Sequence, residues 1–354
     1  MNMNTHAPIN KATVTASACM NAAMRTDALQ KFFKADELNA AADLKITNIR
    51  DIFAAFGVYF DANSPTRAVP ALQAAFSSTD IPAVLSNVAG KFMLAGFGAV
   101  GEEWRKIIRP IPVANFKKAK AVRLVAGGVL ETLGKGGELK HLTLSDEERD
   151  IQAATKGAVV SISREDLIND DLGILTAMPT RIGMMAGRTI NKDVFGALSK
   201  TAGDYGASTT GALNLDNLSA AYGLAAQIMD AEGNFLGAMP NKILCSPVNY
   251  LGAKSIYLSE FITGAQGKTG KLNVVRGMFE PISSPYLGNG TAYWLFNDTF
   301  PLVDCAFLGG RQEPQVDTAS ADFNQLGIQM RCYYDYAAAP GELKAALYST
   351  GAAA

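Results

Sequence analysis

The segment from Asn115 to Asp171, NFKKAKAVRLVAGGVLETLGKGGELKHLTLSDEERDIQAATKGAVVSISREDLINDD, constrains the fold most, because its two strand-like arms cannot bury themselves. The outgoing arm, Phe116 to Leu133, sets Val122, Leu124, Val129 and Leu130 among basic residues. The returning arm, Ala158 to Ser163, alternates Val159, Ser161 and Ser163 with Val160 and Ile162. β-branched residues at a period of two favour strands over helices. Between the arms lies a tip of Gly134, Lys135, Gly136 and Gly137, whose glycines tolerate positive φ and bring no side chain to a core. The reading is an extended ribbon that requires a partner surface.

The rest of the chain supplies a core. With 354 residues and 48% hydrophobic content, two or three compact subdomains are within reach and wholesale disorder is excluded. The 32 basic and 33 acidic residues nearly cancel, so no global charge favours nucleic acid, and any contact with a genome is local and non-specific. Cys19, Cys245, Cys305 and Cys332 form no CxxC pair and predict neither a zinc site nor a redox couple. No apolar run approaches the roughly 20 residues of a membrane span, and the N-terminus lacks the layout of a secretory leader.

Periodicity predicts short amphipathic helices through residue 75 and a helix from Asp80 to Val100 that Glu102 to Ile108 extend. The longest helix is expected from Asp171. Asp170 and Asp171 offer N-capping side chains, and Leu172, Leu175, Ile182, Met185, Ile190, Val194 and Leu198 form the apolar stripe, with Pro179 kinking or dividing it. Further helices are expected over Asp216 to Ala231 and Val248 to Leu258. Strands are expected at KILCSP, LNVVRG, TAYWLFND, VDCAFLGG and GIQMRCYYDYAAA. The fold class is α+β.

Three patterns invite a catalytic or cofactor assignment, and their surroundings argue against each. Gly96, Gly98 and Gly101 have the dinucleotide-binding spacing, but a helical segment precedes them and lysines stand about 20 residues on, where an acidic residue is needed. Gly267, Lys268 and Thr269 end like a phosphate-binding loop, yet Ile262 occupies the position of its first glycine. Ser246 lies in a turn, but His6 and His141 have no context that positions a nucleophile. No enzyme, cofactor or metal site is predicted. The acidic run Asp146, Glu147, Glu148 and Asp150 reads either as a solvated face or as an intersubunit pairing surface.

FKKAKAVRL, the glycine tip, HLTLSDEERDIQAATKGAVVSISREDLINDDLG and TRIGMMAGRTINKDVFGAL follow one another in an order that resembles the major capsid proteins of tailed bacteriophages. These have the Hong Kong 97 fold. The resemblance is closest to the branch fused behind a prohead protease and runs from about Leu72 to the C-terminal region.

It implies an N-terminal arm and helical lead-in over 1–114 and an extended loop with flanking strands over 115–169. A peripheral domain with a spine helix starting at Asp170 and Asp171 would cover 170–212, an axial domain 213–304, and a return to the peripheral domain with a tail 305–354. The implied role is structural: pentamers and hexamers that close an icosahedral phage head around double-stranded DNA. A portal, a scaffold or prohead protease and cement proteins would be partners, with assembly in the bacterial cytoplasm and no membrane. Heterologous contacts close into such rings. Lys118, Arg123, Glu147 and Arg149 are the expected intersubunit contacts. Some relatives weld the loop to a neighbour through lysine and asparagine, but no matching residues are assignable, so no crosslink is expected. An encapsulin-like nanocompartment shell is the same-fold alternative, and a nucleotide-binding enzyme a distant one.

Overall fold

The computed structural model describes residues 11–21, 30, 33–34, 37–38, 41, 80–125, 145–163, 172–229, 233–236, 239–262, 271–320 and 327–352. The helices are α1 (Lys11–Asn21), α2 (Asp80–Ala99), α3 (Leu172–Gly196), α4 (Leu215–Ala226) and α5 (Pro247–Leu258). The first strands are β1 (Ile108–Val113), β2 (Ala119–Val125), β3 (Ser145–Ile151), β4 (Ala154–Ser163), β5 (Ala207–Thr209) and β6 (Lys242–Cys245). The later ones are β7 (Phe261–Ile262), β8 (Lys271–Leu272), β9 (Glu280–Ser283), β10 (Tyr293–Phe296), β11 (Val303–Leu308), β12 (Gln315–Ser320), β13 (Gly327–Pro340) and β14 (Leu347–Ser349). Helices and sheets mix, as the sequence implies.

Two compact units share the chain: Met1–Gly101, Thr155–Thr189 and Gln312–Asp335 form one, and Glu102–Ala154, Ile190–Arg311 and Tyr336–Ala354 the other. The division falls within α3 and within β13.

In the first unit, α1 packs on α2 and buries Val14, Ala16, Ala18 and Cys19. Helices α2 and α3 meet backbone to backbone at glycines. A Cβ built on Gly96 would stand 2.1 Å from the Thr180 carbonyl oxygen, and one on Gly183 would stand 2.0 Å from that of Met93. A hydrogen in place of a side chain lets the helices approach this closely. The spacing that mimics a dinucleotide fingerprint is therefore a packing device, at least at Gly96. Met93, Ile182 and Cys332 form the adjoining apolar cluster with Leu94, Val160 and Val316, and Tyr334 meets Phe97 edge-on at 5.9 Å. The first half of β13 pairs antiparallel with β12, placing Arg331 opposite Asp317, and also pairs with β4.

In the second unit, β1 runs parallel to β11, and the second half of β13 runs antiparallel to β11 on its other side. A separate sheet of order β5-β14-β10-β6-β9 packs α4 and α5. Its core joins Leu218, Ala221, Ile243, Val275, Phe279, Tyr293, Leu295 and Leu347. Trp294 Nε1 donates to the Tyr205 hydroxyl at 2.8 Å, and the Tyr205 ring stacks on Tyr348.

Several expectations are corrected. Glu102 to Ile108 does not extend α2: after Gly101 at φ 92° a 3₁₀ turn over Glu103–Lys106 leads directly into β1. This strand, IRPIPV, escapes pattern reading because prolines discourage a strand assignment. It is tolerated here because the bonds to β11 run through the carbonyls of Ile107 and Val113, so the even positions of Pro110 and Pro112 face away from the ladder. Pro179 does not divide α3, which is continuous over 25 residues. Of LNVVRG only Leu272 lies in a strand, Lys271–Leu272, and the segment turns thereafter. The apolar stripe of α3 is also narrower than expected: Ile182, Ile190 and Val194 are buried, but Met185 is exposed.

Candidate assembly surface

The ribbon is built from a different pair of strands than the sequence suggests. β2 pairs antiparallel with β3, the acidic run SDEERDI, while the expected returning arm belongs to β4 and pairs with β13. Charge concealed β3, since acidic residues are depleted from strands. The backbone register sets Lys120 opposite Asp150 and Arg123 opposite Glu147, an arrangement of opposite charges that favours strand pairing.

The base of the ribbon is anchored. Ala119 and Ile151, paired in register, join Val113, Ala153 and Ala306 in one apolar cluster. Lys118 Nζ reaches Asp150 Oδ2 at 2.9 Å, with both side chains largely exposed, and Gln152 Nε2 donates to the Phe116 carbonyl at 2.9 Å. An exposed pair of this kind contributes at most about 1 kcal/mol, so it sets register more than it stabilises.

The strand leading into the ribbon carries a stronger clamp that sequence reading missed. Arg109 Nε and Nη2 donate to Asp304 Oδ1 and Oδ2, both at 2.8 Å, and Glu342 Oε1 lies 3.9 Å from Nη2. Burial disfavours the guanidinium charge, but hydrogen bonding and attraction to Asp304, then Glu342, outweigh it and hold the Arg109 pKa above its ordinary value. Asp304 is only 3% exposed. The one signal in the sequence was a lone Asp inside an apolar run, VDCAFL.

Of the expected contact residues, Lys118 pairs within its own chain. Arg123 and Glu147 are register partners, and Arg149 stands opposite Ala121. The tip of Gly134, Lys135, Gly136 and Gly137 lies outside the described residues, as do Asp170, Asp171, His6, His141 and Gly267 to Thr269.

Apolar groups are nevertheless left uncovered. On the strand β4, Val159 is 64% exposed while Val160 packs inward. On α5, Val248, Leu251 and Leu258 are exposed, and the cross-strand partners Phe261 and Leu272 are exposed nearby in sequence.

No catalytic grouping emerges among the described residues. The four thiols are free and buried, with burial pushing Cys245 and Cys305 up to about 12 and Cys332 to about 11. A thiolate nucleophile is therefore disfavoured. The Ser246 hydroxyl is spent on the Gly290 carbonyl. No group of three His, Cys, Asp or Glu able to hold a metal occurs among the described residues, and none of their helices is long and apolar enough to cross a membrane.

A family profile described as phage capsid protein matches residues 146–349, more than half of the chain. The chain belongs to the phage capsid protein family. It is thus a structural major capsid protein of a virion rather than an enzyme, and it works by assembling with copies of itself. The match begins inside β3 and ends at the last residue of β14, so it takes in α3, both halves of β13 and the sheet around β10.

No curated protein matches. Among solved structures, a virus-like particle from Pyrococcus furiosus is similar at 10% identity over 74% of this chain and 97% of its own, with a TM-score of 0.47. The capsid of cyanophage P-SCSP1u is similar at 13% identity over 70% and 86%, TM-score 0.48, and the mature capsid of bacteriophage PhiM1 at 12% over 70% and 86%, TM-score 0.42.

Proposed function

We propose that this capsid subunit adopts the Hong Kong 97 arrangement and forms pentameric and hexameric rings that tile an icosahedral head around double-stranded DNA. The observation that carries the reading is the β2–β3 ribbon: anchored at its base by Ala119 and Ile151, it is a two-stranded sheet to which no further strand pairs among the described residues. Two strands alone are marginal in water, so such a ribbon gains stability by lying on another subunit. Under this reading residues 1–114 are arm and lead-in, 115–169 the extended loop, 170–212 the peripheral domain around α3, 213–304 the axial domain, and 305–354 the return and tail. Asp170 and Asp171 cap the spine helix, and the tip at Gly134, Lys135, Gly136 and Gly137 reaches farthest from the base.

Lys118, Arg123, Glu147 and Arg149 act at or beside the interface. Arg123 and Glu147, being opposite each other, hold the ribbon in register, while Arg149 has no charged partner across from it and is the residue of the four best placed to meet a neighbour. A portal, a scaffold or a prohead protease, cement proteins and non-specific contacts with packaged DNA complete the set of partners, with assembly in the bacterial cytoplasm.

The test is electron microscopy and light scattering of the chain expressed alone and with a scaffold. Closed shells or capsomer rings support the reading, and persistent monomers under both conditions overturn it. Denaturing electrophoresis of the assembled shells should show a monomer band, and a ladder would refute the absence of a crosslink.

A further inference from the structure

The helix α1 is enclosed on every side. Val14, Thr15, Ala16, Ser17, Ala18 and Cys19 are each no more than 2% exposed, and six successive positions exceed the roughly 3.6 residues of one helical turn. A surface helix keeps a polar face toward water, whereas a helix covered all round belongs to a core. Its residues suit that place. They are small, no charged residue occurs from Ala12 to Met24, and the buried Thr15 and Ser17 are not without partners. At 11 residues α1 is also too short to be stable alone in water, and the β-branched Val14 and Thr15 weaken it further. Packing, then, is what holds it helical.

Helix α2 supplies one side of the enclosure. Met93, Gly96 and Phe97 lie on the side of α2 that meets α3, while Val88 and Phe92, on an adjoining row, are buried as well. α1 packs on α2, and Lys91 links the two to a third segment. The Lys91 ammonium stands 5.7 Å from the centre of the Phe33 ring, which is itself buried, and its charge reaches the Cys19 thiol. Burial pushes that thiol up to about 12 and outweighs the lowering by Lys91. Loss of α1 would therefore uncover one side of the helix whose glycine contact with α3 shapes the first unit.

We infer that α1 is a permanent part of the subunit core and not a removable arm, so that any cleavage of this chain during head maturation spares residues 11–21. A protease requires several residues of extended backbone, and an enclosed helix offers them only when it opens. The inference goes beyond the capsid reading, which assigns 1–114 to an arm and lead-in, by fixing which part of that stretch stays folded in the subunit.

The test is made on the full-length chain. The intact mass of the subunit from DNA-filled heads should include residues 11–21, and a subunit that begins after Asn21 would overturn the inference. In folded subunits, a thiol reagent followed by peptide mapping should modify Cys19 at least about a hundredfold more slowly than in denaturant. Labelling at a rate near that of the denatured chain would sink it as well. Ala16→Arg places a charge inside the enclosure and should lower the soluble folded fraction at least about tenfold, while Asn87→Arg, at an exposed position of α2, should change it less than about twofold. Ala16→Arg chains that fold and melt like the parent would refute the enclosure. If the unaltered chain never forms heads, the capsid reading fails on its own, and the labelling and Ala16→Arg measurements on soluble subunits still decide whether α1 is core.

Discussion

Replacing Gly183 with alanine tests whether the α2–α3 contact is what shapes the first unit. The new Cβ would lie 2.0 Å from the Met93 carbonyl oxygen, 2.8 Å from its carbon and 2.9 Å from the Phe97 nitrogen. All three are backbone atoms, which cannot rotate aside as a side chain can. Restoring an ordinary contact of 3.4 Å requires the helices to part by the difference, about 1.4 Å. Met93, Phe97 and Ile182 are buried at this junction, and burial of each stabilises by roughly 2 kcal/mol. A gap of that size forfeits about half of the contact, or about 3 kcal/mol in all. Alanine returns about 1 kcal/mol through its better helix propensity, which leaves a net loss of about 2 kcal/mol, within the usual range for overpacking. Gly90 on α2 is the control, because a Cβ there meets nothing within 4 Å and Gly90→Ala should stabilise by about 0.5 to 1 kcal/mol. Thermal melts of the two variants should therefore differ by roughly 6 to 12 °C, and hydrogen exchange should localise the loss to α2 and α3. Equal melting temperatures would refute the close-packing argument.

Arg109→Met strands the buried Asp304 carboxylate and should cost about 2 to 3 kcal/mol, below the range of about 3 to 5 for breaking a fully buried pair because the arginine is partly solvated. Arg109→Met with Asp304→Leu should recover most of that loss in denaturant melts, and a single variant within about 0.5 kcal/mol of the parent would refute the clamp. The thiols of Cys245 and Cys305, raised by burial from 9.0 to about 12, imply alkaline sensitivity. Because the folded pKa lies above the unfolded one, their contribution to stability is complete below pH 9.0 and declines as pH rises toward 12. Stability should hold up to pH 9.0 and fall above it, and a thiol reagent at neutral pH should label these cysteines only after unfolding; rapid labelling of the folded chain would contradict their burial.

Local periodicity was enough to reveal α2, most of α3, α4, α5 and the apolar strands β6, β10 and β11, because an apolar residue repeated every 3.6 or every 2 positions commits a segment to one face whatever packs on it. The order of ribbon, long helix and mixed domain was legible for the same reason, while the capsid family rested on the resemblance of those segments to known capsid proteins. Non-local pairing was not. Seven residues of SDEERDI have no strand signal until β2 supplies opposite charges across the ladder, and IRPIPV is an acceptable strand only because its prolines face away from β11. Glycine spacing at Gly96 matched a phosphate-site pattern that its helical context already argued against, but its use in packing on Thr180 was not legible, and Met185 counted as core until α3 turned it to solvent. Sequence alone determined the long amphipathic helices and the apolar strands, and that one ribbon lacks a core of its own, since those depend on neighbours along the chain. Only the tertiary structure decided the ribbon's partner strand, the Arg109–Asp304 clamp and the enclosure of α1, since each depends on residues brought together from distant parts of the chain.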